Sequence, residues 1–281
     1  MTIKQNAYHS KFITEKVLED GVVFEKHYKN SEGLNEIKVY EEILQHDELL
    51  LAPKLISSSE ENLILTIGKY TQVSKIDSTE IDQLQDWLIY KYSHFKQSNL
   101  LLDKGLNIKR YNKPKVDYLL EIFPKGIVPE ILSNQKLLAL MIPQLASLPF
   151  TLSHGDIRRE NILLDDKHNI VICDWVLASI SNGLIDTFMF LELVRHNDPE
   201  SYGERLNLLE NSLQLQNLEC LVRYEGLLHY LSEIQYFSLF LSTNDMLVIH
   251  GKSIREYIDE CILALEYLWE RITHDLKEER I

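Results

Sequence analysis

Asp156, Asn161 and Asp174 are the residues whose types and spacing point most directly to chemistry. They lie in the run His154-Gly155-Asp156-Ile157-Arg158-Arg159-Glu160-Asn161 and in Ile170-Val171-Ile172-Cys173-Asp174-Trp175. The amide follows the first carboxylate by five residues, and the second carboxylate follows it by eighteen. That is the spacing of a phosphoryl-transfer centre. The first carboxylate accepts the proton of an attacking hydroxyl, while the amide and the second carboxylate hold the Mg²⁺ ions that bridge nucleotide phosphates. Asp156 and Asn161 must reach one reacting centre from a single loop, so few residues can separate them.

The elements around these residues must deliver them to one place. Ile162-Leu163-Leu164 and Ile170-Val171-Ile172 are short apolar runs separated by the polar Asp165–Asn169. This pattern predicts a β-hairpin that folds Asp174 back toward Asn161. Upstream, Phe12–Leu18 alternates in part, Glu19-Asp20-Gly21 is a turn signal, and Val22–Tyr28 reads as a second strand. Gly33–Leu44 has helical spacing, with Ile37, Tyr40 and Leu44 on one face and Ile43 widening it. Pro53 breaks the chain before two further apolar runs, Leu55-Ile56 and Leu63–Ile67. After residue 76 the chain reads as helical. Asp77-Ser78-Thr79-Glu80 supplies N-cap chemistry to a stripe of Ile81, Leu84, Trp87, Leu88, Tyr92 and Phe95. Residues 98–115 look irregular, and further helices are expected over 129–147, 186–196, 203–213, 217–242 and 252–276.

The motif has Gly155 where protein kinases place an Arg, and Trp175 where they place a Phe. In both respects it resembles the aminoglycoside phosphotransferase and choline kinase family, which phosphorylates small molecules on a protein-kinase-like fold. The resemblance implies an α+β, two-lobed fold. Residues 1–70 would form a small β-rich nucleotide-binding lobe with one helix, and 71–281 a larger, mainly helical catalytic and substrate-binding lobe. It also implies ATP or GTP as phosphate donor with Mg²⁺, held by Asn161 and Asp174. Lys26 is the implied strand lysine on the phosphates, with Lys29 its rival if the strand register slips, and Glu36 is the helix glutamate that fixes it. Thr66 and Ile67 are the implied hinge residues that bind the nucleobase. His154 is implied to hold the loop, and Arg158 stands where a lysine lies near the transferring phosphate in protein kinases. Asp186 resembles a structural aspartate of the family, and an N-cap role accounts for it. The chain departs from the family at Gln5–Phe12. That segment has no glycine where a phosphate-covering loop would carry some, and Asn6 or Ser10 is the alternative donor.

Composition agrees with an enzyme of this size. A chain of 281 residues can bury a sizeable core, and 45% hydrophobic with 26% charged residues suits a globular protein. The net charge of −14 argues against a nucleic-acid partner and favours a cationic small molecule, either an aminoglycoside or an amino alcohol. Acids available to such a substrate are Glu192, Asp198, Glu200 and Glu204, with Asp259, Glu260, Glu266 and Glu270 on the last helix. Cys173, Cys220 and Cys261 lack metal-ligand spacing, and neither a signal peptide nor a membrane span is read, so a cytoplasmic setting is expected; the oligomeric state is open, with a monomer favoured. Two other classes remain open. A catalytically silent, kinase-like nucleotide-binding module is favoured by the glycine-free segment. A protein kinase is disfavoured by Gly155 and by the lack of an activation segment.

Overall fold

The computed structural model describes residues 4–6, 11–18, 21–28, 32–96, 108, 116–241, 248–249 and 252–277. In chain order the elements are β1 (Lys4–Asn6), β2 (Lys11–Leu18), β3 (Gly21–Tyr28), α1 (Glu32–Glu42), β4 (Leu55–Ser59), β5 (Ile64–Gly68), β6 (Thr71–Gln72) and α2 (Ser78–Phe95). There follow α3 (Val116–Ile122), α4 (Ile127–Ser133), α5 (Gln135–Ala146), β7 (Thr151–Ser153), β8 (Ile162–Leu164), β9 (Ile170–Ile172) and β10 (Ser179–Ser181). The last are α6 (Leu184–Asn197), α7 (Tyr202–Leu213), α8 (Leu218–Ser238), β11 (Val248–Ile249), β12 (Lys252–Ser253) and α9 (Ile254–Lys277). The chain divides into two compact units, each built from two stretches of sequence. One comprises Met1–Lys109 and Pro149–Leu215, the other Arg110–Leu148 and Gln216–Ile281.

The first unit carries all three sheets that bear on the motif. An antiparallel sheet in the order β1-β2-β3-β5-β4 pairs Lys26 with Ile13 on one side and Leu65 on the other. Helix α1 buries Ile37 and Tyr40 as its spacing predicts, and Val39 besides; Ile43 and Leu44, expected on the same helical face, are buried just beyond its end at Glu42. A second sheet, β6-β8-β9, contains the expected hairpin. Its turn is closed by Asp165, whose Oδ1 accepts the backbone N–H groups of Lys167 and Asn169, both at 2.8 Å. A third pairing, β7 with β10, brackets the loop that holds Asp156.

Helix α2 begins with a complete capping box. Asp77 accepts from the Thr79 N–H at 2.8 Å, and Glu80 reaches back to the Asp77 N–H at 2.9 Å. All six residues of its predicted stripe are buried. In the second unit, the single helix expected over 129–147 is two helices. Asn134 ends α4 and caps α5, its Oδ1 accepting the Leu137 N–H at 3.1 Å. Asn favours this non-helical cap geometry over continuing the helix. Strand β1 is very short, as expected of a first strand ahead of the glycine-free segment, but it extends to Asn6. It occupies part of the glycine-free segment and pairs Lys4–Asn6 with Lys11–Ile13. Ser10 lies outside the described residues, and Asn6 is described only as part of the strand.

Gly33 is required by packing. A Cβ there would overlap the Cβ and Cγ of Tyr28, which lies against the first turn of α1. We expect Gly33→Ala to destabilise the protein by about 1–3 kcal/mol, the usual cost of overpacking. Urea unfolding would measure it as a lower midpoint at unchanged slope.

Candidate active site

Lys26 and Tyr28 are two residues apart on β3, so their side chains leave the same face of the sheet. Above that face, α1 presents Glu36, which is completely buried. The Lys26 Nζ donates to Glu36 Oε1 at 2.7 Å and lies 3.7 Å from Asp174 Oδ1. The Tyr28 hydroxyl donates to Glu36 Oε2, and the backbone N–H of Trp175 donates to Oε1 at 3.0 Å. Both oxygens of Glu36 are therefore engaged. Burial works against the charge on Lys26, but Glu36 and Asp174 outweigh it and hold the ammonium above its ordinary pKa. Lys29 lies outside the described residues.

The loop after β7 is built around Asp186, which has the structural role that the resemblance implies. Asp186 is not an N-cap. Gly183 occupies the cap of α6, and Asp186 sits in the first turn, fully buried. Its Oδ2 accepts the His154 N–H at 2.8 Å and its Oδ1 the Gly155 N–H at 2.7 Å, while the Lys91 ammonium from α2 closes an ion pair with Oδ2. Burial opposes the charge on Asp186, yet Lys91, followed by His154, outweighs it and lowers the carboxyl's pKa. Gly155 has φ of +83°, and a Cβ there would stand 2.9 Å from the Leu177 carbonyl oxygen, so a side chain is excluded on both counts. The buried His154 ring accepts the Asp156 N–H at Nδ1, at 3.1 Å, and meets the Cys173 carbonyl through Nε2 at 2.9 Å. That pair of partners assigns the proton to Nε2. Trp175 packs edge-on against His154 with centroids 4.6 Å apart, tying the two halves of the motif together.

At the centre, Asp156 Oδ2 accepts from Asn161 Nδ2 at 2.8 Å and from Arg158 Nη2 at 2.6 Å. Asn161 Nδ2 also donates to the Asp156 carbonyl at 3.0 Å, which turns its amide oxygen away from Asp156. Cys173 N–H bonds the Asn161 carbonyl at 2.9 Å and brings Asp174 beside that residue. Asp174 itself is left-handed, with φ of +69° and ψ of 61°. The structure thus brings together Lys26, Glu36 and Asp174, and likewise Asp156, Arg158 and Asn161. The amide oxygen of Asn161 and the carboxylate of Asp174 form a hard-oxygen donor set that fits Mg²⁺ supplemented by phosphate oxygens. Among the described residues no group of three or more His, Cys, Asp or Glu is placed to hold a metal by itself.

Thr66 and Ile67 are placed differently from a hinge. Both are buried inside β5 and pair on each side, Thr66 with Glu25 and Ser57, Ile67 with Phe24 and Leu55. The chain leaves this sheet at Gly68 and enters the next at Thr71, so the connection lies beyond them. Of the candidate substrate acids, Glu192 is half-buried and paired with Arg195 at 2.6 Å. Glu200, Glu204, Asp259, Glu260, Glu266 and Glu270 are exposed, and Asp198 is half-buried. Tyr28 and Lys91 were missed. An aromatic two residues after the strand lysine was a readable signal for the first. Nothing local marked Lys91.

The model of the phosphotransferase enzyme family matches residues 107–213. No curated protein sequence matches significantly. Among solved structures, choline kinase LicA from Streptococcus pneumoniae is 13% identical with a TM-score of 0.62, covering 95% of this chain and 94% of its own. A spectinomycin phosphotransferase, APH(9)-Ia, in complex with ADP and spectinomycin is 15% identical with a TM-score of 0.62, covering 95% and 92%. The GDP and kanamycin complex of APH(2")-IIia is 15% identical with a TM-score of 0.62, covering 96% and 93%. The fold is therefore protein-kinase-like, with a strand-rich N-terminal region and a helical C-terminal region. The likeness read from residues 154–175 holds both in fold and over the family's matched segment.

The neutral, buried His154 gives stability a specific pH dependence. Burial pushes its imidazole below the ordinary value of 6.5, against the pull of Asp186 and Asp156. Below about pH 6.5 the unfolded chain takes up a proton that the native state refuses, so stability falls as pH drops, by up to ~1.4 kcal/mol per pH unit from this site. The loss ends once the pH passes below the folded-state pKa. His154→Gln is expected to flatten this slope between pH 6.5 and 5, read from urea titrations at a series of pH values.

Proposed function

We propose that this chain is a small-molecule kinase that transfers the terminal phosphate of ATP or GTP to an acceptor hydroxyl. The observation that carries the reading is the Asp156–Asn161 contact at 2.8 Å together with Lys26, held by Glu36, 3.7 Å from Asp174. Two donors converge on Asp156 Oδ2, which leaves Oδ1 to orient the acceptor hydroxyl and take its proton. Arg158, bound to the same carboxylate, lends positive charge to the reacting region. Lys26 positions the nucleotide phosphates, and Asn161 and Asp174 would hold Mg²⁺, which when bound neutralises charge on those phosphates. In this reading residues 1–70 form the nucleotide-binding lobe and 71–281 the catalytic and acceptor lobe. The nucleobase would meet the backbone of the connection at Lys69–Tyr70, between β5 and β6, rather than the paired Thr66 and Ile67.

The acidic balance of the chain favours a cationic acceptor, an aminoglycoside or an amino alcohol. Supporting nucleotides come from the relatives, which include complexes with ADP and with GDP. The setting is cytoplasmic, where ATP, GTP and Mg²⁺ are available, and no helix among the described residues is long and apolar enough to cross a membrane. A second reading, a silent nucleotide-binding module, draws on the glycine-free segment Gln5–Phe12.

A screen of aminoglycosides, amino alcohols, macrolides and sugars with Mg-ATP and Mg-GTP, detecting nucleoside diphosphate, tests the function. We expect turnover on a cationic acceptor that weakens as salt rises. Turnover confined to a neutral acceptor would reject the charge argument alone, whereas nucleotide binding without turnover on any acceptor would select the silent module. In the active assay, Asp156→Asn should lower kcat by ~10²-fold or more, in line with general-base contributions. Asp174→Ala should abolish the Mg²⁺-dependent part of nucleotide-induced thermal stabilisation. If Lys26→Ala keeps the full stabilisation while Lys29→Ala loses it, the strand register assigned to the phosphate lysine is wrong.

A further inference from the structure

Asp174 occupies a left-handed backbone conformation that a non-glycine residue holds only when its surroundings over-determine it. The segment that follows is a single 3-10 turn, Trp175–Leu177, without a side-chain cap. Two residues of α1 grip this turn. Glu36 Oε1 accepts the Trp175 N–H at 3.0 Å. The neighbouring residue, Asn35, donates through Nδ2 to the Val176 carbonyl at 2.9 Å and to the Ala178 carbonyl at 2.8 Å. A primary amide carries two hydrogens on one nitrogen, so it can serve both carbonyls at once. Val176 and Ala178 are buried, and their carbonyls would otherwise lack this donor.

We propose that Asn35 is a positioning residue for Asp174. It clamps the turn after Asp174 to the helix that also carries Glu36, so the carboxylate and the Lys26 ammonium are set by one rigid element. The inference rests on the reading of Asp174 as a Mg²⁺ ligand. Asn35 touches neither nucleotide nor metal in this scheme. It acts by fixing the backbone from which Asp174 projects, while Lys26 keeps its own bond to Glu36.

The test compares wild type with Asn35→Asp, which keeps the shape and removes both donors, and Asn35→Ser, which keeps one donor of shorter reach. Thermal stabilisation by ATP and GTP is measured without metal and across a Mg²⁺ titration, and amide hydrogen exchange of residues 175–178 is followed in the ligand-free protein. We expect stabilisation by metal-free nucleotide to be unchanged. The Mg²⁺ concentration for half-maximal effect should rise roughly tenfold in Asn35→Asp, the loss expected of one or two modest hydrogen bonds, and by less in Asn35→Ser. Exchange at 175–178 should quicken in the same order. Wild-type Mg²⁺ dependence in both variants would overturn the proposal, as would equal loss of metal-free and Mg-dependent binding, the mark of general damage. Should Asn35→Asp not fold, Asn35→Ser carries the same two readouts. A wild type that binds nucleotide with no Mg²⁺ dependence would instead reject the reading of the site on which the proposal stands.

Discussion

The buried carboxylate of Asp186 is the constraint on which the loop carrying Asp156 depends. Taking a carboxylate out of water costs several kcal/mol, and the cost is offset only by a complete set of partners. Here the partners are the Lys91 ammonium and the backbone N–H groups of His154 and Gly155. Because two of the three donors belong to the loop itself, the loop cannot drift without uncovering the charge. Lys91 is anchored in turn, with its ammonium 4.7 Å above the Trp87 ring and its carbonyl accepting from Thr151 Oγ1 at 3.3 Å. The left-handed Gly155 and the His154 bond to the Asp156 N–H follow from that fixed point.

A second network repeats the logic at Glu36, whose two oxygens gather Lys26, Tyr28 and the Trp175 N–H. The two networks meet through Trp175, which rests against His154 and also packs edge-on against Trp87 at 6.2 Å. The aromatic residue beside Asp174 is therefore structural. Its indole N–H is satisfied by the Ile172 carbonyl at 2.7 Å, so the ring can be buried whole.

What the sequence disclosed was local. The 154–174 motif, its hairpin, the α1 face and the Asp77 capping box all rest on residues within a few positions of one another, where period and turn chemistry are sufficient. What it concealed was pairing over distance. Lys91 reads as one more charge on an amphipathic helix until Asp186, 95 residues on, is placed against it. Asp186 itself, opening an apolar helix, has the appearance of a cap. Asn35 looks like an ordinary helix-surface amide because its acceptors lie 141 and 143 residues away. Apolar periodicity runs through Asn134 and hides the break there, and the bounds of β1 are hidden because three residues are too few to show a period. For the hinge, strand composition located β5 but not the point at which its pairing ends.

The first compact unit is interrupted in sequence: its segments Met1–Lys109 and Pro149–Leu215 are separated by residues of the other unit. Glu36 is completely buried, yet one of its hydrogen-bond donors is the backbone of Trp175. During synthesis the amino-terminal sheet and α1 therefore emerge from the ribosome well before the segment that completes their interior. Contacts of such sequence separation make folding slow and leave the early part exposed to misassociation while it waits. The same arrangement means that the five-stranded sheet with α1 is not a module that can be cut out at residue 70 and kept whole. Lys26 and Glu36 become a finished pair only when the chain has been made past residue 175.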